Sequence, residues 1–236
     1  MKLGVNIDHI ATLRQARKID YPDTIEAMKI CEKAGCDSIV CHLREDRRHI
    51  QDKDVFRLKE EITTKFNLEM CIAKKIVDIA CKVCPDMVTL VPEKRKELTT
   101  EGGLDVISQK HEIKDVITRL SEKNIQVSLF IDPEKDIIEA SKGIGAEIIE
   151  IHTGEYANAL TREEKNYQLQ RISGSIDLAI SLGLEVNAGH GLNYENVSEI
   201  AEFSQINELN IGHSIIAYAL FYGLENAVKK MKSLIS

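Results

Sequence analysis

The sequence predicts an α/β protein folded as a (β/α)8 barrel with extra helices, on two observations. Eight short runs, near residues 3–8, 38–42, 67–72, 86–91, 125–131, 146–151, 184–187 and 206–212, are mostly apolar throughout, as parallel strands covered on both faces are. Segments with apolar residues at helical spacing alternate with them. Eight such βα units in 236 residues point to a closed barrel, with a doubly wound open sheet as the main alternative.

The elements follow in order. The first run, Gly4-Val5-Asn6-Ile7-Asp8-His9, ends in polar residues. Asp23 after Pro22 can open a helix over 22–34, and Gly35 suits its C-terminal cap before strand two. A helix is expected over 53–65. Ile76, Ile79, Ala80 and Val83, and later Ile113, Val116, Ile117 and Leu120, repeat at i, i+3, i+4, i+7. Pro133 follows strand five and can start a helix over 134–142, where its missing N–H costs little. The stretch 152–182 is longer than one helix requires. It carries the stripe Leu169, Ile172, Ile176 and Ile180 and has room for a short extra helix near 156–161. Gly183 suits a cap before strand seven, a helix over 194–203 precedes strand eight, and Ile216, Leu220, Leu224 and Val228 make the last stripe. No Pro/Ser-rich linker, repeat or low-complexity tract interrupts residues 1–236, which are read as a single domain.

Composition narrows the function classes. Hydrophobic residues at 43% and charged residues at 29% are ordinary for a soluble globular protein, and a net charge of −7 argues against a nucleic-acid partner. No apolar stretch approaches the ~20 residues that span a bilayer. The N-terminus runs straight into a strand-like segment with no signal or transit pattern, so a cytoplasmic protein without a membrane partner is expected. Cys31, Cys36, Cys41, Cys71, Cys81 and Cys84 fall on expected helix and strand interiors and read as small buried apolar residues in a reducing compartment. Cys81-Lys-Val-Cys84 has the spacing of redox and metal sites, but no second pair stands at zinc-site spacing.

Six of the seven histidines, His9, His42, His49, His152, His190 and His213, stand at or just past the end of an apolar run. Parallel-sheet α/β proteins build their active sites there, and imidazole moves protons near neutral pH. The pattern points to one acid–base site gathered from distant segments. Asn6, Asp8 and His9 at the end of a buried strand would be costly without a use; a polar plug at the barrel rim is the alternative. His42-Leu43-Arg44-Glu45-Asp46-Arg47-Arg48-His49 holds three arginines directly after a buried strand, which suits an anion such as phosphate. Glu45, Asp46 and Arg47 are expected to be structural. Glu69 lies inside an apolar run, where a carboxylate keeps its proton more tightly and can serve as general acid or base, unless it pairs with an arginine. Glu150 invites the same reading. The polar loop 91–105, with Gly102-Gly103 as a hinge, is a lid or simply a surface loop. Gly-His pairs after strands seven and eight, at Gly189-His190-Gly191 and Gly212-His213, let backbone N–H groups approach a phosphate.

Together these strings resemble the pyridoxine 5′-phosphate synthase family over essentially the whole chain and in order. The resemblance is carried by Val5-Asn6-Ile7-Asp8-His9-Ile10-Ala11-Thr12-Leu13-Arg14, the His42–His49 string, Asn67-Leu68-Glu69-Met70, Val91-Pro92-Glu93-Lys94-Arg95, Thr99-Thr100-Glu101-Gly102-Gly103-Leu104-Asp105, Ile151-His152-Thr153-Gly154 and Asn187-Ala188-Gly189-His190-Gly191-Leu192-Asn193. It implies a barrel with extra helices that assembles as a homo-octamer, a tetramer of dimers. It implies a ring-closing transferase that condenses 1-deoxy-D-xylulose 5-phosphate with 3-amino-2-oxopropyl phosphate (1-amino-acetone 3-phosphate). The products are pyridoxine 5′-phosphate, phosphate and water, in vitamin B6 biosynthesis, with no metal and no organic cofactor.

By motif, the resemblance makes His42 and Glu69 the proton acceptors and His190 the proton donor. Asn6, Arg17, Gly191, Gly212 and His213 match positions that hold the aminoketone phosphate. Asp8, His9, Arg44, His49 and Thr99 match those that hold deoxyxylulose phosphate, and Glu150 joins the substrate-binding set. Imine formation, phosphate loss, dehydration and ring closure all move protons, which calls for several acids and bases. Glu69 is expected to serve the enamine and elimination steps and His190 to protonate a departing or carbonyl oxygen. The rival readings are a phosphosugar isomerase or aldolase, a metal-dependent epimerase using His9, His42, His190 and an acid, and a non-catalytic metabolite sensor. A Schiff-base aldolase would need an apolar-flanked lysine at a strand end, and the expected strands offer none.

Overall fold

The computed structural model describes residues 1–93 and 102–236. Among them, eight strands close into a barrel in chain order, each parallel to its neighbours. They are β1 (Lys2–Asn6), β2 (Ser38–His42), β3 (Lys65–Met70), β4 (Met87–Leu90), β5 (Gln126–Ile131), β6 (Ile148–His152), β7 (Glu185–Gly189) and β8 (Ile206–Ile211). β8 returns to β1, with Leu3 opposite Leu209 and Gly4 opposite Asn210, and this pairing excludes the open sheet. A closed sheet has no unpaired edge.

The helices are α1 (Asp8–Arg17), α2 (Thr24–Lys33), α3 (Asp52–Glu61), α4 (Lys74–Val83), α5 (Lys110–Ser121), α6 (Lys135–Gly143), α7 (Gly154–Asn158), α8 (Arg162–Ser181), α9 (Val197–Ala201), α10 (His213–Tyr222) and α11 (Leu224–Leu234). Asp23 caps α2 by accepting the Ile25 N–H at 3.1 Å. Gly35 and Gly183 both have positive φ where their helices stop.

Side chains alternate across each strand. Leu3, Val5, Ile39, Phe66, Leu68, Ile149 and Ile151 are fully buried in the apolar core. The alternate positions fill the barrel with polar groups: Ser38, Asn67, Thr89, Ser128, Glu150, Asn187, Glu208 and Asn210 are all buried. Thr89 Oγ1 donates to Asn67 Oδ1 at 3.0 Å across this interior. Gly4 keeps room for it, since a Cβ there would lie 2.8 Å from Ser38 Oγ.

Several elements depart from expectation. The first strand ends at Asn6, and α1 opens at once on Asp8, whose N–H is taken by Asn6 Oδ1 at 2.9 Å. The last stripe is two helices, because the chain turns at Gly223 with φ +82°. The short extra helix is α7, two residues earlier than expected, and the expected helix over 194–203 shortens to α9. Cys84 is exposed and Cys81 half-buried, unlike the four buried cysteines.

Candidate active site

The polar interior opens at the C-terminal ends of the strands into a cavity of about 340 Å³. Asn6, His9, Glu69, Glu150, His190, Gly191, Gly212 and His213 line it, brought together from β1, β3, β6, β7 and β8 or the residues just after them. At its floor, Asn6 Nδ2 donates to Glu69 Oε2 at 3.3 Å and to Asp8 Oδ2 at 3.1 Å. Asp8 Oδ1 accepts the backbone N–H of His42 at 2.8 Å, which ties the ends of β1 and β2.

The carboxylates here sit in low dielectric. Burial first, then the charges of Glu150 and Asp8, pushes Glu69 well above the usual carboxylate range. Burial lifts Glu150 to about 7, although Asn210 Nδ2 opposes this by donating to Oε2 at 2.7 Å. Three histidines move the other way. Burial and the neighbouring His152 ring push His190 down to about 4, and burial also lowers His9 and His49. His9 meets His213 edge to face at 5.1 Å between ring centres. His49 Nδ1 accepts the Ile50 N–H at 2.9 Å, so its neutral ring carries hydrogen on Nε2.

Gly212 is the N-cap of α10, and the helix presents its unbonded first-turn N–H groups at the cavity. A Cβ on Gly212 would stand 2.8 Å from Asn6 Cβ, and one on Gly191, at φ +77°, would stand 2.6 Å from Ala157 Cβ. Neither position has room for a side chain: Gly212 lies against Asn6 and Gly191 against Ala157. Arg44 is buried beside the mouth, with Nε 3.4 Å from Asp46 Oδ1. Asp46 also pairs with Arg48, and Arg47 with Asp52, so these charges organise the loop, as expected of Asp46 and Arg47. Arg17 is exposed at the far end of α1 and does not line the cavity. Thr99 lies outside the described residues, as does most of the expected lid.

One imidazole and two carboxylates of Asp8, His42 and Glu69 bring ligand atoms within 4.8 Å of one another, a set able to hold a cation. Those groups already bond Asn6, the His42 amide and Glu93. Among the described residues no lysine lines the cavity, as a Schiff-base aldolase would require.

The sequence profile of the family described as pyridoxal phosphate biosynthesis protein PdxJ matches residues 3–236. The chain belongs to the PdxJ family. A pyridoxine 5′-phosphate synthase of Coxiella burnetii is 58% identical over 236 residues, spanning 100% of this chain and 98% of its own. One from Idiomarina loihiensis is 53% identical over 235 residues, spanning 100% and 97%. A phosphoribosylanthranilate isomerase structure from Thermotoga maritima superposes with a TM-score of 0.65 at 14% identity, covering 100% of this chain and 98% of that one; it shares the fold.

This PdxJ site also holds residues that sequence reasoning left without a role. Glu93 Oε1 lies 2.9 Å from His42 Nε2, and Asp132 Oδ1 lies 2.9 Å from His152 Nδ1. Each acid stands one to three residues past a strand, the one signal that marks it in the sequence. Asn210, the partner of Glu150, carries no such signal.

Proposed function

We propose that this chain is a pyridoxine 5′-phosphate synthase. It joins 1-deoxy-D-xylulose 5-phosphate to 3-amino-2-oxopropyl phosphate, giving pyridoxine 5′-phosphate, inorganic phosphate and water. The observation that carries the proposal beyond family membership is one cavity lined by Glu69, Glu150 and His190 and flanked by two glycine loops. The site needs no metal and no organic cofactor in this reading, because the acids and bases are the protein's own.

The roles follow from the electrostatics. Burial makes Glu69 hold its proton more tightly than an ordinary carboxyl. A cationic imine formed from the aminoketone would offset the neighbouring carboxylates, release that proton and leave Glu69 a base for enamine formation and elimination. His42 is the second acceptor. His190 rests neutral; once protonated it is a strong acid, suited to deliver a proton to a departing or carbonyl oxygen. Asn6, Gly191, Gly212 and His213 hold the aminoketone phosphate; Arg17, outside this chain's cavity, is not given that role. Asp8, His9, Arg44, His49 and Thr99 hold deoxyxylulose phosphate, and Glu150 with Asn210 contacts the reacting centre.

The same reading makes the protein a cytoplasmic homo-octamer, a tetramer of dimers. The exposed apolar run Leu220, Phe221 and Tyr222 on α10 supports self-association. No helix of the described chain is long and apolar enough to cross a membrane. The deciding experiment incubates chelator-treated protein with both phosphorylated substrates and follows pyridoxine 5′-phosphate and released phosphate. Product without added metal is expected. Folded protein that binds both substrates and forms no product would overturn the proposal in favour of a sensor. Product only after a divalent ion is restored would overturn the roles given to His42 and His190.

A further inference from the structure

We propose that Asp132 and His152 form a positioning pair that fixes the ring orientation of His190, acting from the C-terminal ends of β5 and β6 without touching substrate. The inference rests on the reading of His190 as proton donor. It assigns a task to the histidine and the carboxylate that the mechanism above leaves unused.

His152 closes β6, and its Nδ1 lies 2.9 Å from Asp132 Oδ1. A carboxylate only accepts, so the neutral ring carries its hydrogen on Nδ1. The opposite nitrogen, Nε2, is buried with no partner. It faces Gly154, where a Cβ would stand 2.4 Å from Nε2 and 3.2 Å from His190 Cδ2. With Gly154 opening that space, the rings of His152 and His190 meet edge to face at 5.0 Å. Phe130 packs on both, at 5.0 and 6.2 Å. A buried nitrogen left unbonded is costly, so this arrangement is held by its surroundings and is not a relaxed default.

The backbone of His190 needs the same support. Its φ is +77°, a conformation that residues with a side chain adopt rarely and that persists only when neighbours over-determine it. Thr153, directly after His152, supplies the restraint: its Oγ1 lies 2.6 Å from the carbonyl of His190 and 2.8 Å from that of Gly189. The end of β6 thus grips His190 twice, at the backbone through Thr153 and at the ring through His152.

Asp132 is itself anchored. The His152 hydrogen bond holds it below the usual carboxylate range, against the effect of burial and together with the Gly103 N–H. Leu104 donates to the carbonyl of Phe130 at 2.8 Å, so the described end of the loop after β4 is seated on this corner. The titratable groups that face the pair are His190, just after β7, and Arg171 from α8, which acts on Asp132. The His152 ring is the neighbour that adds to burial in keeping His190 neutral.

The test uses the full chain with isotope-labelled histidine and the variants Asp132→Asn, His152→Gln and the double. NMR follows the His190 ring through a pH titration without substrate, and steady-state kinetics gives kcat and KM against pH. His152→Gln is expected to raise the midpoint of His190 and to move the acid limb of kcat with it. Asp132→Asn keeps the volume and is expected to scramble the His152 tautomer in the nitrogen shifts. In both, kcat falls by about tenfold to a hundredfold, while KM for each substrate moves by less than about twofold. The double variant matches His152→Gln alone, because Asp132 acts through that ring. An unmoved His190 titration with kcat intact, or additive losses in the double, would overturn the proposal. Should His152→Gln fail to fold, Asp132→Asn decides it by the His152 tautomer and the split of kcat from KM. A wild-type chain that makes no product would overturn the functional reading, whereas the substrate-free titration would still judge the pair.

Discussion

His42 Nε2 and Glu93 Oε1 stand 2.9 Å apart, with neither side chain more than 7% exposed. The second oxygen of Glu93 accepts the Glu45 N–H at 3.0 Å. Burial works against ionisation of Glu93, but these two hydrogen bonds and the charge of Arg44 hold it below the usual carboxylate range. Glu93 is therefore an acceptor at neutral pH and keeps the His42 hydrogen on Nε2, leaving Nδ1 as the basic nitrogen. Glu93→Gln can donate as well as accept, and loses that control. Its kcat is expected to fall by roughly 10²-fold with the thermal midpoint little changed. Wild-type kinetics in this variant would show that His42 needs no such partner.

Glu150 gives a pH signature. Its carboxyl, 2% exposed, is lifted by burial from an ordinary 4.5 to about 7. An acid whose folded-state value is raised stabilises the fold below pH 4.5, and that contribution is lost as the pH climbs toward 7. Glu150→Gln removes the dependence and can still accept from Asn210. Thermal unfolding should show the variant up to about 3 kcal/mol more stable than the parent at pH 8 and equal to it at pH 4. Equal midpoints at both pH values would mean that the carboxyl is solvated.

Arg14 and Asp54 make a two-pronged ion pair at 2.9 and 2.6 Å, with side chains only 4% and 0% exposed. Asp54 also accepts the Gln51 N–H at 2.8 Å and so starts α3. Arg14→Met leaves a buried carboxylate without its counter-charge, which costs about 3–5 kcal/mol. A fall in thermal midpoint of roughly 10 °C is expected. A shift of a degree or two would place water in this pocket.

Gly191→Ala combines a disfavoured φ with a methyl 2.6 Å from Ala157 Cβ. A loss of about 1–3 kcal/mol of stability is expected. Calorimetry should also show inorganic phosphate binding at least about tenfold more weakly, a loss of about 1.4 kcal/mol. Unchanged phosphate affinity would move the anion site away from this loop.

The strands were readable because their central residues are apolar and short runs punctuated by glycine or proline leave few alternatives. The helix α1 was not, since its exposed Leu13 and buried Arg14 invert the usual stripe. The break at Gly223 was hidden because the apolar spacing runs on through it. Within the site, the histidines, Glu69 and the glycine loops are marked by their place at strand ends. Their pairings are not: Asn210 faces Glu150 and Asp132 faces His152 only after closure sets strands side by side. Pairings of that kind depend on register, which residue type alone does not encode. Arg17 shows the converse, a motif position that the isolated chain leaves outside the cavity.

Barrel closure has a temporal consequence. Asn6 from β1 and Gly212 after β8 form one wall of the cavity, although they come from opposite ends of the sequence. A ribosome releases Asn6 well before Gly212, so a nascent chain carries only one side of this cavity wall while the intervening strands emerge. Fragments that stop before β8 lack this wall, however much of the barrel they contain. Competence to bind arrives in one step, with the docking of the final strand.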